Sequence, residues 1–152
     1  MTKLNPMKQK FLISILNLIL VLSCFAGKPP VIETGSVTPM PDQWIDKDTG
    51  HKVIHLVQRK GDNRSFYFHN NPFLPAESGQ NERMIFSGKV GENMQLFSVD
   101  MKTGKADQIT NKKDVSGEIV AVKSREVYYQ CGDSVFATGI ENHKTRFIYV
   151  FP

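Results

Sequence analysis

Between Arg83 and Thr110 the chain reads RMIFSGKVGENMQLFSVDMKTGKADQIT, three strand-like runs parted by turn signals at intervals too short for helices. Arg83 to Ser87 and Gln95 to Met101 are rich in β-branched and aromatic residues, the types that suit a pleated, half-buried surface. In the second run Leu96, Ser98 and Asp100 alternate with Phe97, Val99 and Met101, which is the period of a strand. Lys102-Thr103-Gly104 then forms a tight-turn signature ahead of the third run, Ala106 to Thr110.

The flanks repeat this arrangement. Asp48-Thr49-Gly50 marks a turn before a strand-like run from His51 to Val57, and Trp44, the single tryptophan, is expected to pack beneath it. Ser65 to His69, SFYFH, predicts an aromatic strand, and Asn70 to Glu82, with two prolines, a glycine and several polar residues, predicts a loop. Beyond the polar stretch Asn111 to Gly117, four more runs follow: Glu118 to Val122, Glu126 to Cys131, Ser134 to Ile140 and Arg146 to Phe151. Ile85-Phe86 is echoed by Tyr128-Tyr129, and Leu96-Phe97 by Val135-Phe136. Self-similarity at a period of roughly 40 residues is the mark of repeated four-stranded blades. The expected class is all-β, a partial β-propeller of about two to three four-stranded antiparallel blades over residues 42–152, after an N-terminal signal helix.

The first thirty residues differ in kind. Lys3, Lys8 and Lys10 form a positive region ahead of an apolar stretch from Phe11 to Leu22, which predicts a secretory signal over residues 1–23. The apolar stretch is short of the roughly 20 residues a spanning helix needs, so export with cleavage is favoured over an anchor helix. Val21-Leu22-Ser23-Cys24 resembles the lipobox of bacterial lipoproteins, which makes Cys24 a lipidation candidate and predicts a lipid-anchored protein of the cell envelope or periplasm. Cleavage nearby without a lipid, or an uncleaved anchor, are the alternatives. Residues 24–41, with Lys28-Pro29-Pro30, Pro39 and Pro41, read as an extended tether. The net charge is +4, but the signal holds three lysines and no acid, so the remainder carries +1 and offers no ground for a nucleic-acid partner. With Cys24 assigned to the signal, Cys131 stands alone and reads as a small buried hydrophobe.

The stretch MIFSGKVGENMQLFSVDMKTGKADQIT resembles the β-propeller repeat of the TolB type. With the opening WIDKDTGHKVIHL, the segment SFYFHNNPF and the later GEIVAVKSREVYYQ, residues 42 to 149 resemble the N-terminal part of oligogalacturonate lyases, propeller enzymes of pectin breakdown. That resemblance implies a seven-bladed ring, an acidic oligosaccharide substrate and a β-elimination, in which a base takes the proton α to the uronate carboxylate while a cation neutralises it. It also implies a manganese-type ion held by a histidine-rich cluster in later blades, with a further histidine as base. Residues 42–152 have room for about two and a half blades of roughly 40 to 45 residues, so the expectation is a truncated product, inactive alone, with no catalytic or metal-binding residue of its own. Strand edges left open in such a fragment are expected to self-associate.

Candidate binding residues remain. His69 closes the aromatic run and enters the Asn70-Asn71-Pro72 loop, at a blade end where propellers place ligands; a capping or packed histidine is the other reading. Arg64 and Arg146 carry guanidinium forks that match a uronate carboxylate, against the plainer reading of surface or blade-stacking arginines. Gln130 could donate to a sugar hydroxyl or satisfy a strand edge. His51 and His55 lie about 13 Å apart along a strand at roughly 3.3 Å per residue, too far to share a metal, and His143 reads as a solvated turn residue. There is no GxSxG elbow, P-loop, zinc-type cysteine pair or EF-hand loop. A TolB-like, non-enzymatic propeller lipoprotein that binds a glycan or protein is the competing function; a β-sandwich or a dimer covering its own edges is a third, structural reading.

Overall fold

The computed structural model describes residues 27–152; the signal segment and Cys24 lie outside the described residues. Within them every regular element is a strand. The chain divides into two compact units, one ending at Ile54 and one running from His55 to Pro152.

In the first unit β1 (Val31–Ile32), β2 (Gln43–Asp46) and β3 (Lys52–Ile54) form a small sheet in that order. β1 pairs parallel to β2, so part of the stretch read as a tether contributes its own strand. Trp44 is buried, as expected, and its indole N–H donates to Thr34 Oγ1 at 2.9 Å. The Asp46 carboxylate is the other fixed point. It accepts the Thr34 hydroxyl at 2.6 Å and the Thr49 hydroxyl at 2.7 Å, and these bonds, with the Thr49 amide, hold its carboxyl well below the usual range.

The second unit is two sheets. One contains β4 (Asn63–Arg64), β5 (Phe73–Leu74), β6 (Arg83–Val90), β7 (Asn93–Asp100) and β8 (Ala106–Gln108); β4 and β5 both lie along β6, and the order continues to β7 and β8. The other runs β12 (Thr145–Val150), β11 (Ser134–Gly139), β10 (Glu126–Cys131), β9 (Val115–Ala121). The period-two pattern decides the faces. Ile85 and Leu96 point one way and join Leu74, Val127, Tyr129 and Ile140 in the core between the sheets. Phe86, Phe97 and Val99 point the other way and are covered by Leu56 and Val57, with the Arg59 guanidinium 4.2 Å over the Phe97 ring. Tyr129 keeps its hydroxyl satisfied inside the core through Thr138 Oγ1 at 3.0 Å, which in turn bonds Thr145 Oγ1 at 2.8 Å. The edge strand β12 of the second sheet leaves Phe147, Tyr149 and Val150 exposed.

One turn recurs three times. In Asp46-Lys47-Asp48-Thr49-Gly50 and Asp100-Met101-Lys102-Thr103-Gly104 the glycine amide donates to the aspartate carbonyl at 2.8 Å in both, and the threonine amide donates to the aspartate carboxylate at 2.9 and 2.8 Å. The third copy, Gly139-Ile140-Glu141-Asn142-His143, keeps the backbone bond, His143 N to Gly139 O at 2.9 Å, but begins with a glycine that has no carboxylate to accept the fourth residue's amide. Asn142 Oδ1 accepts the Lys144 amide at 2.8 Å, as the Thr49 and Thr103 hydroxyls accept the His51 and Lys105 amides at 3.3 Å in the other two copies. His143 sits at φ 55°, where the other copies have glycines at 69° and 71°. Left-handed backbone costs a residue with a Cβ about 1–2 kcal/mol. Set against the larger unfolded-state entropy of glycine, His143→Gly is expected to raise stability by about 0.5–1 kcal/mol in urea unfolding, and a loss would show that the histidine side chain packs the turn.

Candidate functional site

The interruption between β4 and β5 places two aromatic rings in solvent. Asn63 and Arg64 pair with Gly88 and Ser87, and pairing resumes with Phe73 opposite Met84, so Ser65 to Pro72 stand opposite only Ile85 and Phe86 and must loop away. Phe66 turns inward and anchors the excursion in the core. The chain then reverses, with the Asn70 amide donating to the Tyr67 carbonyl at 2.8 Å and Asn71 Oδ1 accepting the Phe73 amide at 3.0 Å. The strand expected over Ser65 to His69 is thus a turn, because Asn70-Asn71-Pro72 supplies turn chemistry that outweighs the aromatic preference for strands.

At the tip Tyr67 is 64% and Phe68 79% exposed, and with His69 they form one group of rings. The Phe68 centroid lies 4.4 Å from Tyr67 and 4.1 Å from His69. Asn70 Nδ2 donates to the Glu118 carbonyl at 3.3 Å, tying the excursion to β9, and the Glu118 carboxylate accepts the Ser87 hydroxyl at 2.9 Å. An apolar ring surface with an imidazole at its margin can stack on the carbon face of a sugar and exchange hydrogen bonds with its hydroxyls.

The two arginines stand apart from this tip. Arg64 is exposed and forks onto Asp62, with Nη2 to Oδ2 at 2.8 Å and Nε to Oδ1 at 3.3 Å, and that bond holds the Asp62 carboxyl below its usual range. Arg146, on β12, reaches across Ala137 of β11 to Glu126 on β10, meeting both carboxylate oxygens at 2.9 and 2.8 Å. It also donates to the Tyr128 hydroxyl at 2.7 Å. No hydrogen bond or ion pair joins any two of His69, Arg64 and Arg146 among the described residues. Gln130 donates to the Gly132 carbonyl at 2.8 Å within its own hairpin. Tyr67 and Phe68 were not singled out from the sequence as contact residues. The proximity of a polar Asn-Asn-Pro turn to three consecutive aromatics is the signal that marks them.

Arg146 pushes the Glu126 carboxyl down to about 2, and the Asn81 amide together with the turn amides pushes Asp100 down to about 2. Both values lie below the ordinary 4.5 and 3.8, so the stability these groups contribute is present above about 4.5 and is lost as pH falls through about 2. Urea midpoints are therefore expected to stay level above pH 5 and to fall between pH 4.5 and 2. Glu126→Gln should flatten part of that slope, whereas midpoints that rise on acidification would contradict the assignment.

Manganese chemistry needs a set of donors that converge. Among the described residues no three of His, Cys, Asp and Glu come close enough to hold a metal ion, so they do not fit the site that the family resemblance implies, and no step is drawn through it.

No protein-family profile matches the chain, and comparison with curated proteins gives no match. Among solved structures it is similar to an oligogalacturonate lyase from Vibrio parahaemolyticus, with a TM-score of 0.62 and 21% identity over 83% of this chain and 32% of that one. It is also similar to an oligogalacturonate lyase in complex with manganese, with a TM-score of 0.62 and 19% identity over 73% of this chain and 29% of that one. The chain spans about a third of the length of the solved structures it matches. At this identity the likeness shows the fold alone, an all-β partial propeller.

Proposed function

We propose that the chain is a relative of oligogalacturonate lyases whose own residues bind an acidic oligosaccharide without performing the elimination. The fold likeness to those enzymes over 83% of the chain carries this reading. The Tyr67-Phe68-His69 turn provides the sugar-facing surface, with His69 as hydrogen-bonding partner. Arg64 is the better of the two carboxylate binders. Its pair with Asp62 is exposed, and such pairs contribute only about 0–1 kcal/mol, so a uronate can displace Asp62. Arg146 is held on two carboxylate oxygens and a tyrosine hydroxyl and serves mainly to bridge β10 and β12.

Export and attachment to the membrane through a lipid on Cys24 belong to the same proposal, as does pairing of two copies along the exposed edge of β12.

Titration of the full chain, held in non-ionic detergent, with oligogalacturonate and manganese tests the reading. Binding in the range of about 0.1–1 mM is expected, with no rise in the absorbance of an unsaturated sugar product. Equal binding to a neutral galactan would defeat the acidic-sugar reading. Metal-dependent formation of the unsaturated product would show that the chemistry resides in this chain after all.

A further inference from the structure

We propose that a β-bulge at Gly117-Glu118 in β9 holds the Tyr67-Phe68-His69 rings in place for stacking, with Asn70 as the positioning residue that joins the two. The proposal takes its use from the sugar-stacking reading of that turn, while its geometry stands without it. Along β9 and β10 the pairing runs Tyr128 with Ile119 and then Gln130 with Ser116, so Gly117 and Glu118 together stand opposite Tyr129 alone. Tyr129 is fixed in the core, and Gly117 accommodates the extra residue at φ 63°. A bulge of this kind disrupts the ladder locally and re-aims the residue beside the glycine. Glu118 is that residue.

Glu118 has two partners outside its own sheet. Its carbonyl accepts Asn70 Nδ2 at 3.3 Å, and its carboxylate accepts the hydroxyl of Ser87, buried on β6, at 2.9 Å. One bulged residue thus ties together the turn, β6 and β9. The three rings lie between two fixed points, Phe66 in the core on one side and Asn70 on the other. The Asn70 amide also closes the turn on the Tyr67 carbonyl at 2.8 Å, so any movement of Asn70 carries the ring-bearing residues with it. A surface held in its bound shape before a ligand arrives loses less free energy to ordering when it binds.

Amide hydrogen exchange of the ligand-free full chain in non-ionic detergent, and its titration with trigalacturonate, test the proposal together. Asn70→Ala removes the side-chain bond and keeps the backbone one. It is expected to reduce protection of the residue-70 amide about tenfold and to weaken trigalacturonate about three- to tenfold, with the urea midpoint unchanged. Gly117 separates backbone shape from bulk, because a Cβ there meets nothing closer than Gln130 Cβ at 4.0 Å. Gly117→Ala, strained in left-handed backbone, should loosen the turn as Asn70→Ala does, whereas Gly117→Asn, a residue type that visits this conformation, should keep both readouts within about twofold of the native chain. Asn81→Ala is the control: it removes a 2.8 Å bond to Asp100 and should lower the urea midpoint without moving either readout at the turn. Unchanged protection in Asn70→Ala, or equal effects of Gly117→Ala and Gly117→Asn, would overturn the proposal. If the native chain binds no trigalacturonate, the sugar-stacking reading fails, and exchange alone then decides whether the bulge positions the turn.

Discussion

Leu96→Ala is expected to destabilise the second unit by about 3 kcal/mol, within the range of about 2–5 for a buried leucine, read from urea unfolding. Leu96 has no exposed surface and lies in the core shared by both sheets. Its backbone is equally committed, with the amide donating to Thr110 Oγ1 at 2.8 Å and the carbonyl accepting the Ile109 amide at 2.9 Å, so the strand cannot slide in to fill the void. Phe97→Ala should cost a comparable amount although it faces the opposite way, because Leu56, Val57 and Arg59 cover that side. The second sheet is expected to behave differently. Tyr129→Ala on its covered face should be severe, and Ile119→Ala, 58% exposed, should fall within about 0.5 kcal/mol. A cost below about 1 kcal/mol for Leu96→Ala would mean that the sheets do not pack through this face.

That contrast between faces was only partly legible in the sequence. Alternation along Leu96 to Met101 identifies a strand and its two sides, but both sides carry large residues, and what covers each depends on segments far away in the chain. The hairpin strands from Arg83 onward were legible because their pairing is local and their turns carry Gly and Asp signals. The Asp-x-x-Thr-Gly turn was readable twice, since the same atoms do the same work at Asp46 and Asp100. Its third copy was hidden: Gly139 replaces the aspartate, Asn142 the threonine and His143 the glycine, so only the backbone bond and the amide accepted by the fourth residue reveal the kinship. His143 read as a solvated turn residue, and it is exposed in the turn between β11 and β12. The SFYFH run misled for the opposite reason. Its strand preference was genuine, but the turn residues that follow it decide where the backbone goes.

Replacing both Tyr67 and Phe68 by serine is expected to weaken oligogalacturonate binding by about 10- to 100-fold while leaving the urea midpoint unchanged. The two rings are mostly in solvent, so their removal opens no cavity and should change stability by no more than about 0.5 kcal/mol. Ring contacts of this kind are worth about 0.5–1.5 kcal/mol each beyond the area they cover, which gives the expected loss when both go. Phe66→Ser, in the same run, should do the reverse. Phe66 is buried in the core, so a hydroxyl there costs several kcal/mol and unfolds the anchor of the excursion. His69→Gln separates the remaining contribution: it keeps a hydrogen-bonding side chain without the third ring, and a loss of only about two- to threefold would assign the imidazole to polar contact. Should Tyr67 and Phe68 instead cost stability and leave binding intact, the tip is a packing element, and Arg64 with its displaceable Asp62 partner becomes the place where an acidic sugar must be held.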